Sequence, residues 1–252
     1  MNKKLQILNV RVSAINMEKA LRTMGEWIDQ GQRQYVTVTP AHAIMDCYRH
    51  PELRPIFNAS GMTTPDGMAV VWLLRLMGEK QVSRVYGPDL VLAACERSLQ
   101  TGWAHYFYGG APGVAEKLAG RLCERYPGLR VVGMAAPPFR PLTPEEDEAD
   151  CRRINASGAD IVWVGLGSPR QEVWMSEHLG RLNVPVMVGV GAAFEFLSGT
   201  KSQAPRWMQR SGLEWLYRLI SEPRRLWRRY ARYPLFALLA TAQLLGLRRF
   251  SD

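Results

Sequence analysis

The sequence predicts an α/β protein: a Rossmann-like, mostly parallel sheet covered by helices on both faces, followed by a basic, aromatic, helical C-terminal appendage. Three observations predict it. Short, almost wholly apolar runs alternate with longer helical patterns, which is the mark of βαβ units in a sheet buried on both sides. The stretches after those runs are rich in glycine, as tight turns from strand to helix require. The positive charge is concentrated at the C-terminal end, apart from this alternation.

The elements follow in order. QYVTVTP (34–40) reads as a strand ending at Pro40, and AHAIMDCYRHPELRPIFNAS as helical material broken by prolines. DLVLAACERSLQTG (89–102) is an amphipathic helix closed by Gly102, AHYFYGG (104–110) a strand, and GVAEKLAGRLCERYPG (113–128) a helix. LRVVGMAAP (129–137) is a strand. LTPEEDEADCRRINASG (142–158) is a helix, with Thr143 and Glu146 at capping-box spacing and Pro144 at the first helical position. ADIVWVGLG (159–167) and VPVMVGVGA (184–192) are buried strands on either side of a helix around QEVWMSEHLGRL. The acidic run EEDEAD (145–150) reads as a solvated first turn, where carboxylates favour a helix N-terminus; it lacks the D-x-D spacing that many sugar-nucleotide enzymes use to hold a divalent ion.

At 252 residues, 47% hydrophobic and 22% charged, the chain suits one large domain, or one domain with a tail. Residues 201–252 carry eleven Lys or Arg against three Asp or Glu, and so hold nearly all of the net charge of +9. We therefore divide the chain into 1–200, the Rossmann-like domain, and 201–252, the appendage. Cys47, Cys95, Cys123 and Cys151 form no C-x-x-C pair and the four histidines no ligand cluster, which predicts reduced thiols in a cytosolic protein and no metal site. The N-terminus has no apolar stretch of signal-peptide length, and no run reaches the roughly 20 apolar residues of a transmembrane helix.

In open α/β sheets, ligands bind beyond the carboxyl ends of the strands. The residues to inspect are Thr37 and Thr39 of TVTPAH, Gly109 and Gly110 of YGGAPG, Phe139 of GMAAPPFR, Gly165, Arg170 and Gln171 of GLGSPRQE, and Gly191 and Glu195 of GVGAAFEFLSG. Glycines there let backbone N–H groups approach a phosphate, with a helix N-terminus behind them; they also make ordinary turns. Arg170 suits a diphosphate or a solvated helix start, and Gln171 offers a sugar hydroxyl both donor and acceptor. Asp66, in TTPDGMAVVWLL, precedes a core-bound helix. It reads either as an N-cap, worth about 1 kcal/mol, or as a general base. Arg84, in SRVYGPDL, is either part of a site or the ion-pair partner of Asp89.

Taken together, TTPDGMAVVW, RVYGPDLV, YFYGGAPGVAEKLA, ADIVWVGLGSPRQEVWM and GVGAAFEFLSG, in this order, resemble the WecG/TagA/CpsF glycosyltransferases, glycosyltransferase family 26, from about residue 10 to about residue 230. The resemblance implies transfer of a sugar from a UDP-activated donor (N-acetylmannosamine, its uronic acid, or glucose) to a polyprenyl-diphosphate-linked saccharide. The setting is bacterial cell-surface polysaccharide synthesis, at the inner face of the plasma membrane. It further implies inversion at the anomeric carbon, no metal or other cofactor, and Asp66 as the base. Thr37, Arg84 and Gln171 match positions of the family's cleft. Thr39 stands where the family usually has asparagine, which points to an altered sugar-hydroxyl contact, and APPFRPLT replaces a glycine-aromatic loop, leaving Phe139 to stack on uracil or pack in an exposed loop.

In GLEWLYRLISEPRRLWRRYARYPLFALLATAQLLGLRR (212–249), Trp215, Leu216, Leu219, Leu226, Trp227 and Tyr230 supply an apolar face among arginines. That mixture suits an anionic membrane surface. PLFALLATAQLLGL (234–247) lies in the interface or packs on the body. By resemblance, the appendage brings the enzyme to the membrane and covers the site, with Arg218, Arg224, Arg225 and Arg228 available to an acceptor diphosphate. The partners implied are thus a UDP-sugar, the lipid-linked acceptor and the membrane surface; the oligomeric state is open, a homo-oligomer being one alternative. A nucleic-acid-binding protein would explain the basic helix but not the glycine loops. A catalytically silent scaffold that binds a nucleotide sugar is the other alternative.

Overall fold

A computed structural model describes residues 2–250. The elements in chain order are β1 (Lys4–Ile7), β2 (Val10–Ser13), α1 (Met17–Asp29), β3 (Gln34–Thr39), α2 (Ala41–Arg49), α3 (Leu53–Ala59), β4 (Met62–Pro65), α4 (Met68–Leu76), α5 (Gly87–Thr101), β5 (Ala104–Gly109) and α6 (Val114–Arg125). They continue with β6 (Arg130–Ala135), α7 (Pro144–Ala156), β7 (Ile161–Gly165), α8 (Arg170–His178), β8 (Val186–Gly189), α9 (Ala193–Leu197), α10 (Arg206–Arg210), α11 (Glu214–Ser221), α12 (Pro223–Tyr230) and α13 (Tyr233–Leu244). The sheet has six strands in the order β4-β3-β8-β7-β5-β6, flanked by helices. The sequence-predicted fold class, appendage included, is the observed one.

The chain forms two compact units, neither continuous in sequence. One consists of the residues up to Met17, Val38–Tyr86 and those from Gln203 onward; the other is Glu18–Thr37 with Gly87–Ser202. The division into 1–200 and 201–252 follows composition, whereas this one follows contacts.

In the second unit, β3 up to Thr37, β8, β7, β5 and β6 run parallel, with Thr37 beside Gly189, Val164 beside Gly189, and Gly109 beside Gly165. β5 and β8 are buried along their whole length, whereas β6, at the edge, has no fully buried residue. Burial on both faces explains why the inner strands read as continuous apolar runs. α7 begins with the expected capping box at Thr143 and Glu146. Its acidic run is not wholly solvated, however: Asp150 is buried, accepting a 2.7 Å hydrogen bond from the Tyr108 hydroxyl and pairing with Arg153.

The first unit holds elements with no clear signal in the sequence. β1 and β2 pair antiparallel through a turn at Leu8, whose φ is 52°, and the Thr63 N–H of β4 donates to Ser13 Oγ at 3.1 Å. The appendage docks on this framework. Gln243 accepts from the Leu8 N–H at 2.8 Å and donates to the Gln6 carbonyl at 2.7 Å, while Arg232 pairs with Asp46 at 2.6 Å. α13 therefore packs one face on the body, burying Phe236, Leu239 and Ala240, and leaves Leu235, Leu238 and Leu244 exposed, with Leu245 and Leu247 exposed just beyond its end. No helix among the described residues is long and apolar enough to cross a membrane.

One buried network gives a stability prediction. Trp163 Nε1 donates to His105 Nδ1 at 2.9 Å, His105 Nε2 donates to Ser98 Oγ at 2.8 Å, and Ser98 donates to the Ala94 carbonyl at 2.6 Å. All three side chains are satisfied with His105 neutral, and burial pushes its pKa down to about 4. Unfolded histidine titrates near 6.5. Between those values the unfolded chain binds the extra proton, so stability is present above about pH 6.5 and is lost as pH falls toward 4, by on the order of 2–3 kcal/mol. Urea unfolding of His105→Gln should show a shallower loss between pH 7 and pH 4.5 than the wild type; an equal slope would refute the assignment.

Candidate active site

The first unit gathers the titratable cluster. β4 ends at Pro65, and the next residue hydrogen-bonds back to the sheet, Asp66 N–H to the Thr39 carbonyl at 3.3 Å. Gly67 then turns the chain into α4 with φ 84°, a value that side-chain-bearing residues rarely adopt. Gly67, not Asp66, occupies the N-cap, and α4 has no side-chain cap. The capping role open to Asp66 in the sequence is thereby excluded.

Its carboxylate faces Arg84 instead. Val85 N–H to the Pro65 carbonyl, at 3.0 Å, brings residues 84–86 alongside the end of β4. Arg84 Nε and Nη2 lie 3.2 and 3.1 Å from Asp66 Oδ1. Arg84 Nη2 also donates to Glu214 Oε2, on α11, at 2.5 Å. Arg84 Cζ lies over the ring of Tyr86, 4.0 Å from its centroid, a cation–π contact. Arg84 therefore has ion-pair partners in Asp66 and Glu214.

Both Arg84 contacts fall on Oδ1, so Asp66 Oδ2 has no protein hydrogen bond among the described residues. The Asp66 side chain keeps 15% of its surface exposed, enough to meet a ligand at one edge. Burial raises the Asp66 pKa above the ordinary aspartate value. Arg84 and Arg218 oppose that rise, and Glu214 adds to it. The result is a carboxylate more basic than one in water, with an open oxygen.

Of the four appendage arginines, the structure brings Arg218 alone into this electrostatic neighbourhood. Arg224, Arg225 and Arg228 lie on the exposed side of α12, with Arg225 paired to Glu222. Arg229 and Arg232, which the sequence places around the apolar face of the appendage, face the buried His42 with Arg218. Burial, then these three cations, hold the His42 pKa well below the usual histidine value, so the ring is neutral beneath an arginine-rich patch. The sequence signal was its place in TPAH, directly after β3.

The second unit gathers the glycines. Gly109 has φ 126°, and a Cβ there would lie 2.6 Å from the Gly165 backbone. Gly110 N–H donates to the Gly165 carbonyl at 3.0 Å, and a side chain at Gly165 would strike the Phe194 ring at 2.8 Å. Gln171 is 3% exposed and donates to Glu172 Oε1 at 2.9 Å. Its Oε1 lies next to Gly191 and has no hydrogen-bond partner among the described residues. Thr37 is buried at the end of β3. Three sequence candidates stand apart: Arg170 is exposed at the start of α8, Phe139 is 75% exposed on its loop, and Glu195 pairs with Lys201 at 2.8 Å.

A histidine also enters a ligand-type group that the spacing did not reveal. Asp147, Cys151 and His178 bring donor atoms within 4.8 Å of one another. Arg181 already supplies the positive charge there, donating to Asp147 Oδ2 at 2.5 Å and lying 3.3 Å from His178 Nε2.

A half-open basic carboxylate suits a group-transfer enzyme. Residues 5–250 match the glycosyl transferase WecG/TagA/CpsF family, and the chain belongs to that family: it is a glycosyltransferase. It is similar to an N-acetylglucosaminyldiphosphoundecaprenol N-acetyl-beta-D-mannosaminyltransferase of Bacillus spizizenii, 29% identical over 210 residues that cover 83% of this chain and 79% of that protein.

Asp66→Asn separates chemistry from structure. Because the folded pKa of Asp66 is raised, its charge costs stability at neutral pH, and that cost fades as pH falls through the folded pKa. The variant should therefore unfold at the same or a higher temperature than the wild type at pH 7, while sugar transfer falls about 10²-fold or more. Near-normal turnover would return Asp66 to a structural role.

Proposed function

We propose that this protein transfers N-acetylmannosamine from its UDP-activated form to a polyprenyl-diphosphate-linked N-acetylglucosamine, with inversion and without a metal. The observation that carries the reading is the open Oδ2 of Asp66, on a carboxylate whose other oxygen is fixed by Arg84. The acceptor hydroxyl gives its proton to Oδ2 as its oxygen attacks the anomeric carbon. The bond from that carbon to the diphosphate breaks, and UDP leaves with the electron pair. One displacement of this kind turns an α-linked donor into a β-linked product. The name of the Bacillus spizizenii relative supports this choice of donor, acceptor and product linkage.

Charge on the departing diphosphate needs donors that are already in place. Backbone N–H groups of the glycine turns at Gly109, Gly110, Gly165 and Gly191 suit it, with the Gln171 amide for a sugar hydroxyl. Arg218 and its neighbours Arg229 and Arg232 suit the acceptor diphosphate, and the exposed leucines of α13 with Trp227 and Ile220 suit an interface where that lipid resides. The enzyme on this reading is a peripheral one at the cytoplasmic face.

A screen of UDP-sugars against a polyprenyl-diphosphate-N-acetylglucosamine acceptor, scored by UDP release, tests the function. UDP-N-acetylmannosamine should be turned over fastest; no release with any UDP-sugar would refute the reading and leave a silent scaffold. Activity should survive EDTA, and strict dependence on added magnesium or manganese would contradict the metal-free course.

Truncation near Gly212 should abolish salt-sensitive binding to anionic vesicles and strongly lower transfer to the lipid acceptor, because it removes most of the excess charge and the exposed apolar face. A truncated chain that still sediments with vesicles at full activity would refute the membrane role. Preferential binding to DNA over vesicles would favour the nucleic-acid alternative.

A further inference from the structure

We propose that Glu214 is a positioning residue for the transfer: by sharing the Arg84 guanidinium with Asp66, it keeps the Asp66 carboxylate a working base. The proposal rests on the reading of Asp66 as that base. An arginine paired with one carboxylate alone lowers its pKa by about 1–3 units. A base so weakened accepts a hydroxyl proton poorly, because proton-transfer efficiency follows basicity. Arg84 at full strength would thus orient Asp66 and disable it together.

The geometry avoids this outcome. Arg84 lies closer to Glu214, at 2.5 Å, than to Asp66, at 3.1 Å. Its approach to Asp66 is confined to Oδ1 rather than spread over both oxygens. One guanidinium therefore serves two carboxylates, and the trio carries a net negative charge. The groups facing Asp66 come from three elements: Arg84 and Tyr86 from the segment before α5, Glu214 and Arg218 from α11, and Tyr233 from α13. Of these, Glu214 is the carboxylate that counters the arginines at neutral pH.

Glu214 belongs to the appendage, 130 residues from Arg84 in sequence. α11 is held by an aromatic group, with Trp215 packed edge-on to Tyr230 and Tyr233 at centroid distances of 6.2 and 6.0 Å. The appendage thereby sets the proton affinity of the base as well as supplying cations.

The test is the pH dependence of kcat in the full-length chain, with UDP-N-acetylmannosamine and the lipid-linked acceptor. Glu214→Gln keeps the shape and removes the charge. Its acid limb should move down by about one pH unit and its plateau kcat should fall about tenfold, with the donor KM unchanged. Glu214→Asp, which keeps the charge, should recover most of the rate and return the limb toward its wild-type position. A Glu214→Gln enzyme whose limb stays in place, whether its rate falls or not, overturns the proposal, as does a Glu214→Asp enzyme whose limb matches that of Glu214→Gln. Asp66→Asn, assayed alongside, distinguishes the failures: an unmoved Glu214→Gln limb with inactive Asp66→Asn overturns only the role of Glu214, whereas an active Asp66→Asn overturns the base and this proposal together.

Discussion

One guanidinium between two carboxylates organises the candidate active site. Arg84 fixes Asp66 through a single oxygen, shares its Nη2 with Glu214, and has its Cζ over the ring of Tyr86. The arrangement depends on backbone events that have nothing to do with charge. Gly67 must turn the chain at positive φ so that α4 begins after Asp66 rather than on it. Val85 must hydrogen-bond to Pro65 so that Arg84 arrives beside the end of β4. α11 must dock so that Glu214 is present. A substitution at Gly67 would therefore act on the site through the direction of the chain.

The same division of labour runs through the appendage. Its charge reads as a membrane-facing feature, and the exposed apolar residues of α13 and α12 agree with that. Yet the parts that bind it to the body are neutral or singly paired: the Gln243 amide on the β1–β2 turn, Arg232 on Asp46, and the apolar face of α13. Arg224 and Arg228 are exposed and take no part in these docking bonds, whereas Arg232 does. Arg218, Arg229 and Arg232 turn inward, toward Asp66 and His42.

Much of the fold was legible because the inner strands are buried on both faces, which leaves a continuous apolar run for each. The elements that escaped lack such a pattern. β4, MTTP, is half threonine, and its hydroxyls are satisfied by the Phe57 and Val85 carbonyls, partners that no local pattern reveals. The β1–β2 hairpin turns on Leu8 rather than on a glycine or asparagine at that position, so the usual turn signal is missing. Asp66 was identifiable as a candidate but not resolvable, since the sequence cannot say which residue of a Pro-Asp-Gly turn will cap. Glu214 and the pairing of Arg84 with Asp66 were hidden by sequence distance. Asp150 was hidden by composition, because it sits within a run of carboxylates that are mostly solvated, and its burial follows only from the position of Tyr108.

The central claim is that Asp66 is a carboxylate kept basic despite the adjacent arginine. A carbon-13 titration of the aspartate side-chain carboxyl resonances of the full-length protein, with Asp66 assigned by its absence from the Asp66→Asn spectrum, measures this without any substrate. The account predicts a midpoint above the ordinary aspartate value of about 3.9. A midpoint below that value would mean that Arg84 has taken Asp66 as a simple ion-pair partner, and would contradict the account.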